Sequence, residues 1–109
     1  LKAMFVFRRH ESLDLSQFHD YWLNRHGPIV VRTPELNRYV QCHVMEQISR
    51  NGEPPYDGVT ELFWADFAAA RRSMGSTQMV EEQSADARRF VRDGSIQVVL
   101  MNEEMLPLV

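Results

Sequence analysis

The sequence predicts an α+β fold of the order β-α-β-β-α-β, a four-stranded antiparallel sheet with both helices on one face and the other face bare. Three observations carry that prediction. Four short segments rich in Val, Phe and Met have strand length and alternation, two intervals between them repeat apolar residues at three- and four-residue spacing, and Gly, Pro and Asn cluster at the joins. Two right-handed crossovers from such a sheet put both helices on the same side. By length, residues 1–109 are read as one domain.

Lys2 to Arg9 is the first strand, with Met4 and Val6 on one face and Ala3, Phe5 and Phe7 on the other; apolar residues on both faces suit a central position. Asp14 followed by Gln17 is a capping-box pair that starts a helix at Leu15. Phe18, Tyr21, Trp22 and then Arg25 or His26 recur along one side of that helix. Gly27 permits a left-handed exit and Pro28 opposes further helix. The helix is therefore expected to end at Arg25 or His26, with His26 at the negative end of the helix dipole, where imidazolium is favoured. Ile29 to Thr33 follows as a helical turn or loop. Arg38 to Met45 alternates, with Val40, Cys42 and Val44 expected toward the helices and Tyr39, Gln41 and His43 forming a polar face. Residues 46–57 hold Asn51-Gly52 and Pro54-Pro55, a turn-rich loop suited to covering a pocket mouth. Val59 to Asp66 is the third strand, its apolar run interrupted by Glu61. Asp66 caps a helix over Phe67–Met74, Gly75 breaks it, and Ser76 starts a continuation spaced by Met79, Val80, Gln83, Ala87 and Phe90. Ser95 to Asn102 is the fourth strand.

Composition narrows the function classes. With 44% hydrophobic and 25% charged residues the chain has an ordinary soluble make-up, and a formal net charge of −3 offers no basic footprint for nucleic acid. No apolar run reaches the ~20 residues of a membrane span and no charged-then-apolar leader opens the sequence, so no membrane partner and a cytoplasmic location are expected. The single cysteine, Cys42, excludes an internal disulfide and reads as an inert buried thiol. Without a Cys pair or a His-Glu-x-x-His pattern, no metal site is expected.

The bare sheet face needs a cover. Exposed apolar surface is unfavourable by roughly 25 cal/mol per Å², and a second copy of the chain is the simplest way to remove it from water. Two sheets face to face would enclose a barrel interior lined by Tyr39, Gln41, His43 and Glu61. Polar groups held there need partners, water or a ligand, which makes that interior a candidate small-molecule site.

Taken in order, Phe18-x-x-Tyr21-Trp22, His26-Gly27-Pro28, Arg38-Tyr39-Val40-Gln41 with His43, Tyr56-Asp57-Gly58-Val59-x-Glu61-Leu62 and Asp86 to Phe90 make the chain resemble the EthD-like family, named for ethyl tert-butyl ether degradation. The resemblance covers nearly the whole chain. It implies a ferredoxin-like protomer pairing as a dimeric α+β barrel, within a superfamily that includes cofactor-free oxygenases, polyketide cyclases, muconolactone isomerases and haem-degrading oxygenases; relatives called EthD-like include polyketide-pathway dehydratases. By similarity to methylmuconolactone methylisomerase, the pocket histidine and tyrosine of that enzyme fall on His26 and Tyr39.

On these grounds His26 is the candidate general acid–base, because imidazole exchanges a proton near neutral pH; the alternative is a helix-end histidine bonded to backbone. Tyr39 is the candidate donor to a substrate oxygen. Gln41, His43, Glu61 and Trp22 are candidate substrate contacts, Trp22 being also a core residue and Glu61 alternatively ion-paired with Arg8, Arg9 or Arg38. His10 and His19 read as solvated, and Arg71-Arg72 and Arg88-Arg89 as exposed helix charge. The expected function is proton transfer without a cofactor, as in a dehydratase, isomerase or cyclase, on a small hydrophobic oxygenated compound held by a homodimer. The alternatives are an oxidoreductase-linked role, as a cofactor-free monooxygenase or an accessory to ether degradation, and a binding dimer without turnover.

Overall fold

The computed structural model describes residues 1–45 and 54–109. The covering loop expected over 46–57 lies largely outside the described residues. Strands β1 (Lys2–Phe7), β2 (Arg38–His43), β3 (Gly58–Phe63) and β4 (Gln97–Met101) form one antiparallel sheet in the order β2-β3-β1-β4. The strand with two apolar faces, β1, is central as expected. The helical segments are α1 (Leu15–Tyr21), a π-helical turn over Trp22–His26, α2 (Gly27–Val30), α3 (Phe67–Met74), a second π-helical turn over Gln78–Gln83, and α4 (Ser84–Ala87). They cover one face of the sheet, giving the ferredoxin-like β-α-β-β-α-β fold.

Capping follows the sequence closely. Asp14 accepts from the Gln17 backbone N–H while the Gln17 side chain accepts from Asp14, so the capping box forms, and Asp66 accepts from the Ala69 N–H to start α3. The end of the first helix differs from expectation. Gly27 keeps right-handed helical angles, with φ at −51°, and its N–H bonds the carbonyl of Trp22, so the chain passes Pro28 without leaving the helical path until Val30. A π-helical turn is wider than an α-helical one and makes room ahead of the proline, which needs no N–H partner where α2 begins. His26 consequently sits within a continuous helical stretch, not at a helix end, and is buried.

The ladder register assigns the sheet faces. Tyr39, Gln41 and His43 stand opposite Leu62, Thr60 and Gly58, which in turn stand opposite Ala3, Phe5 and Phe7. Because cross-strand partners share a face, all nine point toward the helices. This reverses the expectation for β2: Val40 and Cys42 lie on the open face, and Cys42 is exposed. Alternation alone gives two faces without saying which one is inward, and the aliphatic character of Val40, Cys42 and Val44 suggested the wrong choice. Glu61 lies on the open face too, in an ion pair with Lys2 at 2.5 Å; the three arginine partners considered for it are replaced by a lysine directly along the sheet.

An aromatic cluster joins the first helical stretch to β1 and to the end of α4. Phe7, Phe18, Trp22 and Phe90 are all at most 5% exposed, with the Phe7 and Trp22 ring centroids 5.2 Å apart. Gly58 makes this packing possible, since a Cβ there would stand 2.9 Å from both Phe7 and Trp22. The open face carries Met4, Val6, Val40, Val59, Phe63 and Val99, the last 54% exposed.

Candidate functional site

A cavity of about 310 Å³ lies between the helix face of the sheet and the helices. Phe5, Phe7, Tyr39, Thr60 and Leu62 supply the strand side, and His26, Val30, Met79, Gln83, Ala87 and Phe90 the helical side. Its place is inside one protomer, not between two sheets. The polar residues of β2 face this way because the register turns them toward the helices, which brings His26 and Tyr39 onto one cavity.

His26 is 8% exposed and packs against the Phe90 ring at 4.7 Å. Its Nδ1 lies 2.8 Å from the Asp86 Oδ2, while the other carboxylate oxygen accepts the Tyr21 hydroxyl at 2.7 Å. A carboxylate at Nδ1 assigns the proton to that nitrogen and leaves the lone pair on Nε2, which has no hydrogen-bond partner among the described residues. Burial pushes the His26 pKa below 6.5 against the opposing pull of Asp86, so the resting ring is neutral and able to accept a proton. The helix-dipole effect expected from the sequence is absent because the helix continues past His26.

Tyr39 is held from behind. The Gln41 Nε2 donates to the Tyr39 hydroxyl at 2.6 Å and to the Trp22 carbonyl at 3.0 Å, and the Gln41 Oε1 lies 2.9 Å from the His43 Nε2. His43 stacks on Trp22 at 4.5 Å and meets His19 edge-on at the same distance. Gln41 donates to the phenol oxygen, and among the described residues the phenol's own proton has no acceptor, which leaves it for a ligand. Burial raises the Tyr39 pKa, which keeps that proton in place at neutral pH. Gln41 and His43, considered as substrate contacts, thus form a chain that fixes Tyr39, and Trp22 is both core and cavity wall. Glu61, on the opposite sheet face, is separated from the cavity. His19 is drawn into the His43 contact and its Nε2 approaches the Asp57 carbonyl at 3.3 Å, so it is not a solvated side chain.

Asp86 was not among the expected site residues, although its spacing was informative. It follows Gln83 by three residues and precedes Phe90 by four, two positions read as inward-facing, so a carboxylate stood on the buried side of a helix. Asp57 proves structural: it is 1% exposed and its carboxylate receives the Arg9 backbone N–H at 2.7 Å and the guanidinium at 2.8 Å. Among the described residues no group of three or more His, Cys, Asp and Glu side chains could hold a metal ion, and no helix is long and apolar enough to cross a membrane.

Comparison with known proteins bears on this geometry. The family model described as EthD domain matches residues 10–94. No curated protein matches the sequence. Among solved structures, the chain is similar to an ethyl tert-butyl ether degradation family protein from Bacillus halodurans, at 20% identity and a TM-score of 0.73 over 95% of this chain and 97% of that one. It is similar to a dimeric ferredoxin-like protein from Thermobifida fusca, at 12% identity and a TM-score of 0.66 over 90% and 85% of the two chains. It is also similar to SnoaB, a cofactor-independent oxygenase from Streptomyces nogalater, at 17% identity and a TM-score of 0.60 over 98% of each chain.

Proposed function

The chain belongs to the EthD family, and on that premise we propose that its cavity binds a small hydrophobic oxygenated compound on which His26 moves a proton without a cofactor. One observation carries the reading: a buried imidazole, anchored at Nδ1 by Asp86, lines the same apolar cavity as a phenol whose proton has no acceptor among the described residues. In that arrangement His26 Nε2 takes a proton from the carbon next to a ligand carbonyl, and Tyr39 donates a hydrogen bond to the carbonyl oxygen as it gains charge. The imidazolium, stabilised by Asp86, then returns the proton to another carbon or to a departing hydroxyl. Isomerisation follows in the first case and dehydration in the second. The carbanion formed on the way is also a species that dioxygen can attack, and the likeness to an oxygenase of this fold supports that second reading.

Pairing through the open sheet face belongs to the same proposal. Met4, Val6, Val40, Val59, Phe63 and Val99 give this face apolar surface on either side of the Lys2–Glu61 ion pair, and a similar fold occurs in a dimeric protein. The reaction is tested by solvent deuterium uptake into 2-tetralone beside its carbonyl, followed by NMR. The wild-type protein should accelerate uptake and His26→Gln should remove the acceleration; equal rates with and without protein would refute proton transfer. Oxygen consumption during the same assay would favour the oxygenase reading.

A further inference from the structure

Adjacent arginines near the end of the last helical stretch, Arg88 and Arg89, look equivalent in the sequence, but the fold separates them. Arg88 lines the cavity and Arg89 does not. Arg92 and Asp93 join Arg88 at the same end, beside the apolar side chains of Val91 and Ile96. Both arginines are exposed while His26 is buried, so the cavity has a charged, hydrated mouth and an apolar interior. Arg88 has no ion-pair partner among the described residues. Arg92 has only a loose, exposed one, Glu11 at 3.9 Å.

We infer that the ligand of this cavity is an apolar organic acid, its ring or chain lying between Phe5, Leu62 and Phe90 and its carboxylate meeting Arg88, with Arg92 as the second cation. The inference rests on reading the cavity as the proton-transfer site and adds the charge of its substrate. A guanidinium is weakly hydrated and presents a planar fork that matches a carboxylate in a bidentate pair. Beside an apolar wall, such a pair is less screened than one in open water. Asp93 and Glu11 formally balance the two guanidinium groups, so what the mouth offers is the fork of Arg88, unpaired among the described residues, which suits one carboxylate better than several.

The test is calorimetric binding of 1-naphthoate and its neutral counterpart 1-naphthamide to the wild-type protein, Arg88→Gln and Arg89→Gln. The two variants remove the same charge from neighbouring positions, and circular dichroism checks that each is folded. Naphthoate should bind roughly three- to tenfold more tightly than the amide, Arg88→Gln should erase that preference, Arg89→Gln should leave it within about twofold, and added salt should weaken the acid alone. Equal binding of acid and amide, equal effects of the two variants, or no saturable binding of naphthoate at millimolar concentration would overturn the inference. If 2-tetralone exchange still depended on His26 under any of those outcomes, the charge assignment alone would fall; if exchange were absent while naphthoate bound as described, the proton-transfer reading would fall instead.

Discussion

Replacing Asp86 with Asn removes one charge and almost no volume, and its effect can be worked out from the two contacts of the carboxylate. That group receives two donors, the His26 Nδ1–H at 2.8 Å and the Tyr21 hydroxyl at 2.7 Å. An amide has one acceptor oxygen and one donor group, so only one of those donors can keep its partner. If the amide oxygen stays with Tyr21, its NH₂ faces Nδ1, the ring proton moves to Nε2, and the lone pair no longer meets the cavity. If it stays with His26, the NH₂ meets the phenol and the imidazolium formed in the reaction has lost its counter-charge. The first outcome removes general-base assistance, an effect of about 10²- to 10⁴-fold on the exchange rate; the second keeps the Nε2 lone pair in the cavity but weakens it as a base, an effect toward the lower end of that range. Hydrogen bonds to charged groups contribute about 1.5–3 kcal/mol each and the amide retains part of that, so the stability loss should be about 1–3 kcal/mol. Tyr21→Phe is the control, since it deletes one donor and leaves the His26–Asp86 contact; its exchange rate should stay within a few-fold. The assays are 2-tetralone deuterium uptake, urea unfolding, and ¹⁵N NMR of the His26 ring, which reports the tautomer without any substrate. A folded Asp86→Asn protein with an unchanged rate and a proton still on Nδ1 would show that the carboxylate does not position the base.

Gly58→Ala places a methyl group 2.9 Å from Phe7 and Trp22, two rings held by the aromatic cluster, and should cost about 1–3 kcal/mol in urea unfolding; an unchanged midpoint would mean the rings shift freely. The pKa values of His26 and His43 both lie below 6.5, chiefly through burial, so the unfolded chain binds protons that the folded one refuses. Their effect on stability is therefore absent above pH 6.5 and turns destabilising as pH falls through 6.5 toward the folded-state values, a loss that His43→Gln should lessen; stability rising on acidification from pH 7 would contradict this. Val40→Lys puts a charge on the open sheet face, and light scattering should show a dimer for the wild-type protein and a monomer for the variant, with cooperative unfolding retained. A wild-type monomer at micromolar concentration would remove the basis for sheet-face pairing.

Much of the fold was legible because its signals are local. The Asp14–Gln17 and Asp66 caps, the two-faced β1 and the Gly75 break each depend on a few neighbouring residues, and each forms as read. At the candidate site, the reading of which β2 residues share a face held, and the reading of which face they share did not. Period-two alternation grouped Tyr39, Gln41 and His43 correctly, but only the pairing of Gln41 with Thr60 and of Thr60 with Phe5 shows that the group faces the helices. Glu61 entered the proposed site for want of the same information. Pro28 was read as a helix end because its usual effect is to break α-helical bonding, and a π-helical turn that accommodates it leaves no simple mark in the sequence. The Asp86 partnership spans 60 residues of chain and depends on two helices meeting above the sheet, a tertiary fact that the inward spacing of Asp86 only hinted at.

Where a ligand binds decides between a site inside the protomer and one between two sheets. Backbone and side-chain NMR shifts followed during titration with 2-tetralone report this directly. The expected result is saturable change at His26, Tyr39, Leu62 and Phe90, which line the cavity, with Val40, Val59 and Phe63 on the open face unmoved. Changes centred on Val40, Val59 and Phe63, with His26 silent, would place the ligand between sheets and contradict the assignment of His26 and Tyr39 as the reacting pair.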